Sequence, residues 1–281
     1  MRAIALAMIA SGCTGDQVEL RIEPREVELV VALDGSAQVP LVVTADDSEV
    51  TADVELVLEG VALGTVGPAG FASNGRTGGR ARIVARYGGA TAEIPVHVRI
   101  ESRRFINVPS DAPDWFSRIG LEVPFEAGLE PGDGAVLPPN LGTLDVHFDA
   151  IASDDTHELA ITTPDLDLRV FSATTRRIEL TRSEWDALSR TARGTTAELT
   201  VKSLVAANLG GDARVTRAQI AIAELFLASE VLFTGRATGE VMPQMWSYDL
   251  FRGTTEAWTA LPAGNCVGCH VAISRDGARI A

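Results

Sequence analysis

Between Val18 and Ile100 the chain alternates apolar and polar residues in short runs that are separated by turn signals. Alternation at period two predicts strands with one buried face, and pairs such as Asn-Gly and Gly-Gly supply the positive φ angles of tight hairpins. We therefore predict an antiparallel β-sandwich over 14–100. Its strands are expected at 27–31, 38–43, 54–58, 82–87 and 94–98, with turns at Asp34-Gly35, Asn74-Gly75, Gly78-Gly79 and Gly88-Gly89.

The second half of the chain begins with a compositional break. Two arginines and the prolines Pro109 and Pro113 predict a connector over 101–120. Strand periodicity then returns, so we predict a second, Ig-like or fibronectin-like sandwich over 121–234. The expected strands are 144–148, 166–171, 197–204, 218–223 and 225–233; the alanine content of 218–223 leaves a helix as the alternative there.

One helix is predicted inside the second sandwich, over Ser183 to Arg190. Thr181 followed by Glu184 has the spacing of a capping box. Trp185 and Leu188 then fall on one helical face, and a glycine at 194 ends the run. The predicted fold class is all-β: two consecutive β-sandwiches with a short helical insert and an incomplete C-terminal segment.

Composition narrows the function classes. With 281 residues, 46% hydrophobic and 22% charged, the chain has the make-up of a globular protein. Acidic residues outnumber basic ones 38 to 24, giving 24 − 38 = −14, which disfavours nucleic-acid binding. Lys202 is the single lysine, which argues against lysine chemistry, and hydrolase and kinase motifs are absent from the sequence, so a non-enzymatic role is favoured.

The N-terminus has the order of a secretion signal. Met1-Arg2 precedes an apolar run, Ala3 to Ala10, and then the small residues before Cys13. Ala10 to Cys13 resembles the lipobox of bacterial lipoproteins, which implies that residues 1–13 are a signal peptide with a lipid-bearing anchor at Cys13. The chain is then expected outside the cytoplasm, held to a bacterial membrane by lipid, in the periplasm or at the cell surface. A cleaved or buried N-terminus with an incidental cysteine is the alternative.

Asn265 to His270 contains the Cys-x-x-Cys-His spacing that attaches c-type haem. Two thiols, Cys266 and Cys269, would bond the vinyl groups, and the adjacent imidazole of His270 would be the proximal iron ligand. Three alternatives use the same residues: a zinc site completed by another histidine or a carboxylate, a redox dithiol, and a structural disulfide.

The distal side of such a haem has weaker candidates. Met242 or Met245 could offer a thioether, although packing is the commoner use of methionine. His147 and His157 are weaker candidates for the distal ligand, or for the fourth ligand of a zinc site. His97 falls in a predicted strand and is expected to be structural.

Calcium is a further cofactor to consider. Acidic pairs occur at Asp46-Asp47, at Asp154-Asp155 and at Asp165-x-Asp167. Such pairs are more often solvated turn residues, so the sequence supports no calcium site.

Four segments of the first half resemble the bacterial Ig-like group 2 family. This resemblance implies an extracellular spacer or adhesive module and brings no catalytic residues. The matching segments are Arg21–Pro24, Gly67–Ala72, Gly79–Gly89 and Ala92–Ile100.

The region Pro131 to Ala281 is similar to secreted bacterial proteins in which an Ig-like region leads to a Cys-x-Gly-Cys-His motif and then to a TolB- or WD40-like propeller. The resemblance implies that 235–281 carries the haem-like motif and the start of a propeller that is truncated at its first blade. The matching segments are Gly134–Asn140, Met245–Leu250, Cys266–His270 and Ser274–Gly277.

Together these patterns predict a lipid-anchored, extracytoplasmic Ig-like binding or spacer protein that carries a covalent haem c. Its partners would be the membrane, through lipid, and a protein or polysaccharide that the sequence does not identify. One alternative is a periplasmic or surface electron-transfer haem protein. A further alternative is a pure adhesion or structural module in which the two C-terminal cysteines form a disulfide or bind zinc.

Overall fold

The chain divides into two compact units, Met1–Glu101 and Ser102–Ala281, and each is described by itself. No helix among the described residues is long and apolar enough to cross a membrane. The computed structural model describes residues 18–125, 128–151, 154–173, 176–208 and 211–226, and the backbone of three strands at 230–235, 244–249 and 254–257.

In its described residues, the first unit has ten strands in three sheets. The main sheet has the order β2–β10–β9–β6, and two small sheets have the orders β1–β4–β5 and β3–β8–β7. β2 pairs with β10 in parallel, and the other pairs in this unit are antiparallel. The strands are β1 Leu20–Glu23, β2 Val27–Ala32, β3 Gln38–Val39, β4 Val42–Ala45, β5 Ser48–Glu49, β6 Glu55–Gly60, β7 Gly64–Gly67, β8 Gly70–Ser73, β9 Gly79–Tyr87 and β10 Ala90–Ile106, whose last residues belong to the second unit.

The core of the first unit follows the sequence alternation. Along β10 every second residue from Ile94 to Ile100 is buried, which gives the main sheet one apolar face. Val43 of β4 and Phe71 of β8 are also fully buried, so the small sheets have apolar faces too. Apolar faces in one unit are stable only when they cover each other, and the result is a β-sandwich.

The hairpin between β9 and β10 shows how turn chemistry sets strand register. Gly88 and Gly89 have φ angles of 56° and 83°, in the left-handed region that glycine adopts without a steric cost. Two such residues make the turn whose twist matches antiparallel strands. Tyr87 therefore pairs with Ala90, as the Gly-Gly signal predicted.

In its described residues, the second unit combines one large sheet with two small ones. The end of β10 lies beside β16, followed by β15, β18 and β19, and both β11 and β13 run parallel to β19 at its free side. A small sheet has the order β12–β14–β17 and another the order β20–β21–β22. The elements are α1 Ala112–Ser117, β11 Glu122–Pro124, β12 Leu129–Glu130, β13 Ala135–Leu137, β14 Asp145–Phe148, β15 Thr156–Thr163, β16 Leu166–Ser172, β17 Arg177–Glu179, α2 Arg182–Thr191, β18 Thr196–Leu204, β19 Ala213–Ile222, β20 Glu230–Gly235, β21 Gln244–Asp249 and β22 Thr254–Ala257.

Helix α2 confirms the predicted insert and extends it by one residue at each end. The Thr181 hydroxyl accepts a hydrogen bond from the Glu184 amide at 3.2 Å, and the Glu184 carboxylate accepts one from the Thr181 amide at 2.7 Å. This capping box satisfies two N–H groups that the first turn leaves without helical partners. The face carrying Trp185 and Leu188 is buried, as its spacing predicted.

Residues 101–120, predicted as a connector, are instead partly structured. β10 continues to Ile106, and α1 places Ala112 and Phe116 in a buried cluster with three residues of the large sheet. The prolines misled the prediction: Pro113 lies in the first turn of α1, where a proline is compatible with a helix.

The end of the second unit corrects two further details. β19 is a strand, so the helical alternative for 218–223 is wrong: Ile220 pairs with Ala197 of β18 across an antiparallel ladder. The strand predicted at 225–233 begins later, at Glu230, and Leu225 and Phe226 precede it. The all-β class with a short helical insert is confirmed.

Candidate functional site

The residues predicted to bind haem and lipid lie outside the described residues. This applies to Cys13, Met242, Cys266, Cys269 and His270. Their roles stay predictions.

Met245 falls in β21, where its backbone pairs with Thr234 of β20. Its side chain lies outside the described part of the chain, so its role as a distal ligand also stays a prediction.

His157, the first of the other distal candidates, belongs to the core of the second unit. Its side chain is 3% exposed, its Nδ1 lies 2.9 Å from the Ser203 hydroxyl, and its ring meets Phe148 edge to face at 4.9 Å. Burial lowers the pKa of His157 to about 4; the Asp155 charge opposes this shift, and the Arg176 charge adds to it. The imidazole is therefore neutral at pH 7 and is held by packing.

His147 is a surface residue on β14. Its Nε2 lies 3.0 Å from an oxygen of Asp145, which also accepts the Arg177 Nε–H at 2.7 Å. Burial raises the pKa of Asp145, but hydrogen bonds from Arg177 and His147 outweigh it, so the net shift is downward. The three side chains form a hydrogen-bonded polar cluster on β14 and β17.

The acidic pairs considered for calcium are engaged with other protein groups. Asp154 is fully buried against Arg214 at 2.5 Å, and burial raises its pKa. Asp167 pairs with Arg169 at 2.9 Å, and the Asp46 carboxylate accepts the Glu19 amide at 2.9 Å. Within the described ranges, no group of three His, Cys, Asp or Glu side chains is arranged to hold a metal ion.

Sequence reasoning missed a buried ion pair at the start of α2. Arg104 of β10 donates from Nε and Nη2 to the two carboxylate oxygens of Glu184, at 2.9 Å and 3.0 Å. The Glu184 side chain is 2% exposed, and Arg104 also donates to the Glu179 carbonyl at 2.7 Å. Glu184 thus both caps the helix and neutralises Arg104. Nothing in the sequence connects two residues 80 positions apart.

An open groove of about 580 Å³ lies next to this ion pair, within the second unit. We call it the arginine groove, because three arginines line it together with two threonines and one glutamate. Its walls come from β10, from the chain before β14, from β17 and from the first turn of α2. The polar lining residues are Arg104, Thr143, Arg177, Glu179, Thr181 and Arg182.

No family model matches this sequence, and no curated protein matches it. The similarity to the bacterial Ig-like group 2 family therefore stays a resemblance carried by the segments quoted above.

Several solved structures are similar to the chain at low identity. S-layer protein SbsC domains 4 and 5 show 15% identity and a TM-score of 0.22, covering 74% of this chain and 99% of that one. The fibronectin(III)-like modules of Clostridium thermocellum CbhA show 12% identity and a TM-score of 0.25, and the match covers 73% of this chain and 95% of that one. Extracellular domains 3–5 of Drosophila OTK show 9% identity and a TM-score of 0.24, and the match covers 92% of this chain and 85% of that one. Since these TM-scores are low, the fold rests on the strand pairings described above, and nothing about function follows from these structures.

Proposed function

We propose that this chain is a lipid-anchored, extracytoplasmic binding or spacer module that carries a covalent c-type haem near its C-terminal end. The observation that supports the module role is the fold: Ig-like β-sandwiches are a common architecture of cell-surface domains. Among the described residues, ion pairs connect elements of the fold: Arg104–Glu184 joins β10 to α2, and Arg177–Asp145 joins β17 to β14.

The lipid anchor rests on the N-terminal sequence. An apolar run that is too short to span a bilayer ends at Ala10-Ser11-Gly12-Cys13, the order in which a lipoprotein signal ends. A lipid chain on Cys13 would hold the sandwiches at a membrane surface.

The haem rests on the donor set of Asn265–His270. Two thiols three residues apart match the spacing of the haem vinyl groups, and the next residue supplies an imidazole nitrogen for iron. When bound, the haem would supply one-electron chemistry. The chain's own contribution is to tether it through Cys266 and Cys269 and to orient it with His270.

A periplasmic or surface electron carrier is the second candidate, and the same motif favours it. In that case the sandwiches would serve only to hold the haem-bearing segment in place. A disulfide or zinc site at the two cysteines would instead leave a pure adhesion or structural module.

Haem attachment can be tested by expressing the full chain in a bacterial host with haem-attachment machinery. We expect a haem stain that survives denaturation, because thioether bonds persist when the protein unfolds. Cys266→Ser and Cys269→Ser should weaken the stain, and Cys13→Ser is the matched control that should not. A colourless protein with the two C-terminal thiols joined would refute the haem proposal.

The anchor has a separate test in the same host. The wild-type chain should partition with membranes, and Cys13→Ser should release it into the soluble fraction. Equal partitioning of both proteins would rule out lipidation at Cys13.

A further inference from the structure

The arginine groove places hydrogen-bond donors where a ligand can reach them. Arg182 is 69% exposed and uses only Nε, which donates to Asp186 at 3.2 Å; neither of its Nη atoms has a partner among the described residues. Arg104 uses Nε and Nη2, and its Nη1 has no partner in the same part of the chain. Both residues line the groove. Guanidinium donors are suited to a carboxylate, which accepts in their planar fork geometry.

Part of the backbone beside the groove is already engaged in hydrogen bonds. The Glu179 carbonyl accepts from Arg104 at 2.7 Å, and the Leu180 carbonyl accepts from the Thr143 hydroxyl at 2.6 Å. The Leu180 amide donates to Leu144 at 2.8 Å. These three backbone groups are therefore not available to a ligand.

Two backbone amides at the start of α2 are also occupied. The amides of Thr181 and Glu184 are both taken by the capping box. The charged donors that line the groove are the arginine side chains.

The rest of the lining suits a sugar ring. The Glu179 side chain is 57% exposed, and its carboxylate, 4.0 Å from Arg177 Nη2, can accept from hydroxyl groups. Ile106, which is partly exposed, offers aliphatic surface to ring C–H groups, whereas Leu180 is buried. The volume of about 580 Å³ lies within the usual range for small-ligand sites. Because the groove is open, a longer chain could extend beyond it on either side.

We propose that the arginine groove binds a uronic-acid unit of an acidic polysaccharide. Arg182 and Arg104 would hold the carboxylate, and Glu179 would accept from ring hydroxyls. This inference rests on the proposed role as a binding module and names its partner class. It does not depend on the haem or on the lipid anchor, whose tests use staining and membrane partition.

The test is isothermal titration of the purified full chain with trigalacturonate. The methyl ester of the same trisaccharide keeps the shape without the charge, and maltotriose is the neutral control. We expect binding of trigalacturonate alone, weakened by added salt because the contacts are exposed. A triglutamate peptide distinguishes a glycan site from a site for any carboxylate.

Arg182→Gln is the diagnostic variant. It removes an exposed charge at a helix N-terminus, where positive charge is unfavourable, so the fold should persist, and its melting temperature checks this. We expect affinity for trigalacturonate to fall about fivefold, since a charged hydrogen-bond donor is lost at an exposed site. Arg190→Gln makes the same change in the last turn of α2 and should alter affinity less than about twofold.

Three results would overturn the proposal. Trigalacturonate at millimolar concentration could fail to bind the folded protein. The two arginine variants could lose affinity equally, which would indicate a general charge effect. Triglutamate could bind as tightly as trigalacturonate, which would indicate recognition of any carboxylate.

Discussion

The two compact units differ in what they bury. In the described part of the first unit, the buried polar residues are Thr51, Ser73 and Thr77, all of them neutral hydroxyl side chains. The second unit buries hydroxyls too, but it also buries His157, Glu158 and Glu184. Burying an ionisable group is costly unless it is paired or neutral, so each of these needs a partner or a shifted pKa.

The ion pairs follow the same division. In the first unit, pairs such as Arg82–Glu59 at 2.9 Å join partly exposed side chains on the sheet surface. In the second unit, Glu158 is 3% exposed and accepts from Arg169 at 2.8 Å. Exposed pairs contribute little to stability. Removing one partner of a buried pair, by contrast, leaves an uncompensated charge in a region of low dielectric constant. The first unit thus depends on alternation and turns, and the second also depends on specific partners.

The largest expected effect is at the capping ion pair. Arg104→Met should lower the unfolding free energy of the second unit by about 3–5 kcal/mol, because Glu184 stays buried without its counter-charge. Denaturant unfolding followed by tryptophan fluorescence measures this, since all four tryptophans lie after residue 101. A loss below about 1 kcal/mol would show that the pair behaves like a surface pair.

The second-largest expected effect is a loss of stability at low pH, which arises from His157. Its pKa of about 4 in the folded chain lies below the ordinary value of 6.5, so the unfolded chain takes up the proton first. The second unit should therefore lose stability as pH falls from 6.5 towards 4, by about 3 kcal/mol in total. Stability above pH 6.5 should be independent of this group.

His157→Gln is the control for the acid effect, because it keeps a polar partner for Ser203 and cannot be charged. Carboxylates also titrate in this range, so the informative quantity is the difference between the two proteins across the pH series. Parallel pH profiles would mean that His157 does not carry the effect.

A smaller effect is expected at the helix cap. Thr181→Ala removes the hydroxyl that accepts the Glu184 amide and should destabilise the second unit by about 1 kcal/mol. Thermal unfolding followed by tryptophan fluorescence is the measurement. Thr181→Ser keeps the hydroxyl and should stay close to wild type, and an equal loss in both variants would contradict the capping role.

The smallest effect is expected in the first unit. Arg82→Gln removes an exposed partner of Glu59 and should change stability by less than about 1 kcal/mol. Hydrogen exchange of the β9 amides reports this unit without relying on tryptophan. A larger loss would mean that the two units do not differ in the way their burial patterns indicate.

Local sequence patterns were sufficient wherever the interacting residues are neighbours along the chain. The capping box of α2 joins Thr181 and Glu184, three residues apart, and the Gly88-Gly89 turn sets the register of its own hairpin. Strand alternation identified which face is buried, because period two follows from backbone geometry alone. These features need no knowledge of the rest of the molecule.

Tertiary structure decided whatever depends on residues far apart in sequence. Arg104 meets Glu184, His157 meets Ser203 across β15 and β18, and the arginine groove takes its walls from four separate segments. The partners of a buried charge are chosen by packing, so the sequence alone determined that Glu184 caps a helix but not that Arg104 neutralises it. The same holds for α1: its prolines predicted a break in the chain, and only the cluster around Phe116 made that segment part of the second unit.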